Sequence, residues 1–117
     1  MPQLLIEAAH RRVPLPGAVL TNLNLRNAVL NNLIAPHADF TGSDLRDTYF
    51  RDANVAGADF TYADLRGARC ERSNFCAITF RNTKLKGAKW VKTAFSPTLA
   101  GQHITLHQLR VLLRNSV

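Results

Sequence analysis

Large apolar residues recur at every fifth position between residues 18 and 95, and the residue two positions before each one is usually small. With Ala35 as the one clear break, they are Leu20, Leu25, Leu30, Phe40, Leu45, Phe50, Val55, Phe60, Leu65, Cys70, Phe75, Phe80, Leu85, Trp90 and Phe95. Apolar residues lie about 3.6 positions apart on an amphipathic helix and about 2 apart on a strand, so a spacing of five fits neither. The pattern predicts a chain that turns after every few residues and packs these side chains into one core stack.

Several of these five-residue units read A-D-[LF]-x-x, as in residues 58–62 and 63–67. The pattern resembles the pentapeptide-repeat family, and sixteen consecutive units hold one phase across residues 18–95. The resemblance implies an all-β solenoid, a right-handed quadrilateral β-helix in which four units form one coil. Sixteen units would give about four coils and a rod about 20 Å long, since paired strands lie about 4.8 Å apart.

If four units form a coil, residues 20 positions apart should stack, and the sequence agrees with that period. Like residues recur at this spacing on the inside, as Leu25, Leu45, Leu65 and Leu85, and on the outside, as Thr21, Thr41 and Thr61. A second outward column consists of Arg26, Arg46, Arg66 and Lys86. These columns favour four-sided coils over three-sided ones.

The two ends of the chain depart from the repeat, which divides it into an N-terminal cap at 1–17, the β-helix at 18–95, and a linker with a capping helix at 96–117. Residues 4–9 predict either a short helix or a strand that enters the first coil. At the other end, Thr105 is an N-cap with Gln108 as its capping-box partner. The apolar face of this C-terminal helix would consist of Leu106, Leu109, Leu112 and Leu113. It would cover the last coil of a monomer, or in addition form a homodimer interface.

Positive charge is concentrated in the second half of the chain. Residues 1–60 have a net charge of −1 and residues 61–117 a net charge of +8. Between positions 66 and 92 the only acidic residue is Glu71. Eight cations in that segment form what we call the basic strip: Arg66, Arg69, Arg72, Arg81, Lys84, Lys86, Lys89 and Lys92. On a four-sided helix this strip covers two neighbouring sides of the last two coils, and Tyr49 and Tyr62 are expected to lie away from it.

The search for chemistry finds no catalytic residues, no metal site and no cofactor motif. His103 and His107 are four positions apart, but no further metal ligand lies near them in the sequence. Asp39, Asp59 and their equivalents occupy the motif's own Asp position, where a carboxylate is expected to bond to turn backbone. Neither cysteine has a redox or zinc spacing, and no apolar run of 18 residues is present. We expect a cytoplasmic protein that is not an enzyme.

Three functions are compatible with this description. The first is a rigid protein-interaction surface or scaffold with a protein partner. The second is electrostatic binding of nucleic acid or another anionic surface through the basic strip. The third is inhibition or protection of a type II topoisomerase by imitation of DNA, as the resemblance allows. A basic surface opposes docking to a DNA-binding site, so the third is disfavoured.

Overall fold

The computed structural model describes residues 2–99 and 102–103, and within them the chain forms a β-helix preceded by one α-helix. The helix α1 spans Pro2–His10. Of the two alternatives for this end, the helix is the one observed. Leu5 and Ala9 are buried against the first coil, so α1 covers core that a β-helix would otherwise leave open.

Backbone pairing between successive coils is parallel, and most paired residues lie 20 positions apart. A one-residue shift between Cys76 and Ile78 is the exception, and after it Ile78 pairs with Pro97, 19 positions further on. Four columns with the 20-residue spacing are described: Val19–Asp39–Asp59–Thr79, Asn24–Asp44–Asp64–Lys84, Val29–Tyr49–Arg69–Lys89 and Ile34–Asn54–Asn74–Ala94. Most pairings are single bridges because only two or three residues of each unit are extended before the next turn. The described pairings thus form four columns, one for each five-residue unit of the 20-residue period.

Two of the columns widen into sheets of named strands. In the first sheet β1 (Tyr49–Arg51), β2 (Arg69–Glu71) and β4 (Lys89–Val91) pair in parallel. In the second, β3 (Asn74–Thr79) pairs in parallel with β5 (Ala94–Leu99), and β5 pairs antiparallel with β6 (Gln102–His103). The first sheet carries the surface discussed below.

The corners of the coil are formed by one left-handed residue in each unit. Every fifth residue from Arg12 to Lys92 has a positive φ, between 48° and 77°. Gly and Asn, which adopt this conformation at the lowest cost, occupy most of these positions in the first coils. The regular recurrence of this conformation produces the five-residue spacing of inward side chains.

The large inward residues fill the interior of the helix. Buried members are Leu25, Leu30, Phe40, Leu45, Phe50, Val55, Phe60, Leu65, Cys70, Phe75, Phe80 and Leu85, and the partly buried Leu20, Trp90 and Phe95 pack against them. Phe40 and Phe60 stack with ring centroids 5.0 Å apart, and Phe75 meets Trp90 edge to face at 5.3 Å. Ala35, which interrupts the large series, is also fully buried.

Two buried serines join successive coils through their hydroxyl groups. Most turns close with a backbone bond such as that from the Ala28 N–H to the Leu25 carbonyl, 3.0 Å. The turn from Phe50 to Ala53 lacks this direct bond, and the Ser73 hydroxyl of the next coil lies between the Phe50 carbonyl and the Ala53 N–H instead. It donates to the Phe50 carbonyl at 2.9 Å and accepts from the Ala53 N–H at 3.0 Å. Ser43 bridges the turn from residue 20 to residue 23 in the same way.

The predicted C-terminal helix, with Thr105 as its N-cap and Leu106, Leu109, Leu112 and Leu113 on its apolar face, lies outside the described residues. His107 lies outside them as well.

Candidate partner-binding face

The basic strip lies on the outer surface of the last two coils. Arg66 is half-buried and the other seven cations are exposed. Lys89 pairs in register with Arg69, and Lys84 with Asp64 of the preceding coil. The period of 20 residues therefore places cations that are distant in sequence about 4.8 Å apart along the rod.

Carboxylates outside the segment neutralise part of this strip. Arg66 binds Asp64 through two guanidinium nitrogens, the shorter contact being 2.6 Å. Arg46 forms the same contact with Asp44 at 2.7 Å, and its Nε lies 3.7 Å from Asp64 of the next coil. Burial alone would raise the pKa of Asp64, but hydrogen bonds from Arg66 outweigh it and the pKa is lowered. On this side of the rod each arginine is therefore paired with a carboxylate, and Arg66 does not present a free positive charge.

Arg72 is neutralised in the same manner by the coil before it. Its Nε lies 3.2 Å from Asp52, 20 positions earlier, and a second nitrogen lies 3.9 Å from Glu71. The pKa of Arg72 is raised, chiefly by its hydrogen bond to Asp52. Although Glu71 is the only acid within positions 66–92, two acids outside that range also bind the strip. Asp52 stacks on Arg72 from the preceding coil, and Asp64 lies two positions before Arg66.

The remaining cations of the strip are less constrained. Among the described residues, none forms an ion pair with the four lysines or with Arg81. The free charge is thus concentrated on the last coil, where the lysines are Lys84, Lys86, Lys89 and Lys92.

Tyr49 lies against the strip, contrary to the expectation from the sequence. The Arg69 guanidinium carbon lies 5.4 Å from the centroid of the Tyr49 ring, a distance typical of a cation–π contact. Tyr49 pairs in register with Arg69, so the 20-residue period already contained the signal that would have found it. Tyr62 is exposed at a corner of the coil, away from this sheet.

The sheet formed by β1, β2 and β4 has a trough on its outer face. One rim is the row Val29, Tyr49, Arg69 and Lys89, and the other is the row Asn31, Arg51, Glu71 and Val91. We call the space between these rows the trough. Its volume is about 320 Å³ in the part over Cys70, and a second depression beside α1 continues it through Val29 and Asn31. The apolar members stand out from the surface, with Val29 49% and Val91 51% exposed.

Hydrogen bonds hold the rims of the trough in place. The Asn31 Oδ1 accepts from the Arg51 N–H at 2.9 Å, and Arg51 reaches Glu71 with a contact of 3.4 Å. Arg51 is therefore tied to its own rim, whereas Arg69 and Lys89 on the opposite rim face outward without a described carboxylate. No repeat motif or charge pattern in the sequence points to Val29, Asn31, Arg51 or Val91 as members of a site.

The other titratable groups have structural roles. The Asp39 carboxylate accepts hydrogen bonds from the Thr41 hydroxyl and the Thr41 N–H, which lower its pKa, and Asp59 bonds to Thr61 in the same way. Burial raises the pKa of the Cys70 thiol. Both cysteines are free. In the described part of the chain no group of three or more His, Cys, Asp and Glu side chains could hold a metal ion.

Comparisons with known proteins identify the repeat. The family model described as pentapeptide repeats (8 copies) matches residues 15–47, 36–67 and 58–89, which together span more than half of the chain. The resemblance seen in the A-D-[LF]-x-x units is thereby confirmed. No curated protein sequence matches the chain.

The chain is similar to three solved structures, and one of them superposes well on it. A pentapeptide repeat protein from the thylakoid lumen of Arabidopsis thaliana is 27% identical with a TM-score of 0.67, covering 85% of this chain and 73% of that one. Rfr23 of the cyanobacterium Cyanothece 51142 is 14% identical with a TM-score of 0.28, covering 87% and 98%. QnrB1, a plasmid-mediated fluoroquinolone resistance protein, is 15% identical with a TM-score of 0.28, covering 74% and 58%. At a TM-score of 0.28 neither superposition supports a conclusion about this chain.

Proposed function

The chain belongs to the pentapeptide-repeat family, and from that premise we propose that it is a non-enzymatic scaffold that binds a protein partner through the face of β1, β2 and β4. The observation that carries this proposal is the composition of that face. Exposed Tyr49, Val29 and Val91 lie beside Arg51 and Arg69. Tyr and Arg are enriched where proteins meet, because both bury large area and retain a polar group for orientation.

Rigidity supports the same proposal. Backbone bonds tie each coil to the next, mostly at a register of 20 residues, and the serine hydroxyls add bonds in the interior. Outward side chains are therefore held in rows, and little conformational entropy is lost when a partner binds them. In the described part of the chain no helix is long and apolar enough to cross a membrane.

Site-specific cross-linking tests this function. In the test variant a photoreactive amino acid would replace Tyr49. In a matched control it would replace Tyr62, which is 65% exposed at a corner of the coil. We expect the first variant to cross-link a discrete protein in the source cell and the second to yield none. The captured protein would then be purified and titrated against the wild type and Tyr49→Ala. A partner bound equally well by Tyr49→Ala, or captured equally from both positions, would contradict the proposal.

A second candidate function is binding of nucleic acid or another polyanion by the lysines of the last coil. The observation that favours it is that Lys84, Lys86, Lys89 and Lys92 are exposed and lack ion pairs with described residues. Affinity for a 20-base-pair DNA duplex should then fall steeply with salt. Replacing the four lysines by Glu should abolish retention on a heparin column, and unchanged retention would exclude this function. Imitation of DNA toward a topoisomerase is not supported by so basic a surface.

The proposal extends to the shape of the coils, the two caps and the cellular location. We propose a right-handed quadrilateral β-helix of about four coils at residues 18–95, an N-terminal cap at 1–17 and a capping helix within 96–117. The leucines of that helix would cover the last coil or join two copies. A cytoplasmic location is consistent with two cysteines that remain free.

A further inference from the structure

We propose that the trough binds an acidic, extended segment of a partner protein, with a carboxylate held between Arg69 and Lys89. This inference rests on the proposed protein-binding function and specifies the chemistry of the bound segment. Three observations carry it: the dimensions of the trough, the distribution of charge on its rims, and the position of its apolar residues.

The trough has the width of one polypeptide chain. Its rims are formed by residues two positions apart on the same strands, such as Tyr49 and Arg51, and therefore lie about 7 Å apart. It runs across the strands, parallel to the axis of the rod, and passes at least four successive coils, those that contain residues 29, 49, 69 and 89. A DNA duplex is too wide to enter a space of this size, whereas an extended peptide fits it.

The charge in the trough favours a carboxylate at one place. Arg51 is already paired with Glu71 at 3.4 Å on one rim. On the opposite rim Arg69 and Lys89 are adjacent in register and exposed. Arg69 lies between Lys89 and Tyr49, and its guanidinium contacts the Tyr49 ring. Two cations about 4.8 Å apart can share one carboxylate, which accepts two charge-assisted hydrogen bonds.

The apolar residues define a second contact point. Val29 and Tyr49 form the other half of the same rim, and both are exposed. The midpoint between Val29 and Tyr49 lies two coil spacings, about 10 Å along the rod, from the midpoint between Arg69 and Lys89. A chain in the polyproline II conformation advances about 9 Å in three residues and presents every third side chain on the same side. The preferred segment should therefore carry Asp or Glu three positions from an apolar residue.

A selection from random peptides tests this inference. Nine-residue peptides would be selected on the immobilised wild-type protein, and the enriched sequences would be synthesised and titrated by fluorescence anisotropy. We expect enrichment of Asp or Glu at a spacing of three from an apolar residue. The double variant Arg69→Gln/Lys89→Gln should bind at least about tenfold more weakly, since it removes two charge-assisted bonds. Tyr49→Ala should weaken binding of the same peptides.

A matched control separates a specific site from general attraction. Lys84→Gln/Lys86→Gln removes the same charge from the neighbouring side of the last coil and should leave peptide affinity unchanged. All variants change exposed side chains, and equal melting temperatures would verify that they fold. Equal weakening by both double variants, displacement of the peptides by a 20-base-pair DNA duplex at equal phosphate and carboxylate concentrations, or enrichment without acidic residues would overturn the inference.

The outcome is distinguishable from failure of the proposed function. If Tyr49 cross-links a partner but acidic peptides are not enriched, the inference is wrong and the scaffold function stands. If no protein is captured at Tyr49 and no peptide is enriched, both are wrong.

Discussion

The hydroxyl of Ser73 should contribute measurably to stability although it is a single small group. The side chain is 6% exposed and takes the place of the bond that usually closes a turn. In Ser73→Ala the Phe50 carbonyl loses a donor at 2.9 Å and the Ala53 N–H loses an acceptor at 3.0 Å. An intramolecular hydrogen bond contributes about 1 kcal/mol net, and a buried group left without a partner costs about 1–3 kcal/mol. We expect the free energy of unfolding to fall by about 2 kcal/mol.

Urea denaturation followed by circular dichroism measures this change. Thr21→Ala is a suitable control, because it removes a half-buried hydroxyl that forms no described side-chain hydrogen bond, and it should change stability by less than about 0.5 kcal/mol. A loss below about 0.5 kcal/mol for Ser73→Ala would refute the reasoning. It would mean that the Ala53 N–H moves onto the Phe50 carbonyl directly, as the Ala28 N–H does onto Leu25.

Three further predictions concern the core and its charges. Phe60→Asp places a charge at a position that is 0% exposed and stacked on Phe40, so the domain should be unfolded by circular dichroism; a folded variant would show that Phe60 does not point inward. The pKa values of Asp44 and Asp64 are lowered in the folded state, so stability should be constant above about pH 5 and fall below about pH 4 as they protonate. Urea midpoints from pH 2.5 to 7 would detect this, and a midpoint that rises on acidification would contradict it. Trp90 Nε1 is buried without a described partner, so Trp90→Phe removes the desolvation cost of that N–H together with part of the ring contact to Phe75. The variant should therefore lose less than about 1 kcal/mol in the same assay, and a larger loss would show that the ring contact outweighs the relief of the N–H.

The sequence was sufficient to identify the repeat and the direction of most side chains. A spacing of five has a single physical explanation here, a left-handed residue at every corner, and the Gly and Asn residues that favour this conformation recur in phase with Leu65 and its equivalents. In most units a polar residue lies between the two inward ones. These properties are local, so they can be read from neighbouring positions.

The candidate site was predicted less completely because its contacts join residues of different coils. Arg72 was counted as a free cation because its partner Asp52 lies 20 positions away. Tyr49 was placed apart from Arg69 for the same reason. Charge counted along the chain therefore overstates the free positive surface, and distance along the chain separates Tyr49 from the cation that it contacts.

What the sequence determined by itself is the period of the coil, because backbone conformation at each corner depends on the residue placed there. The period also indicates which outward residues stack, as Tyr49 does on Arg69. What only the tertiary structure decided is which of these stacked pairs form ion pairs or ring contacts, which buried hydroxyls bridge two coils, and where the trough lies between its two rims. These depend on pairs of residues that the parallel register brings within about 5 Å of each other, and their energies arise only when both members of a pair are in place.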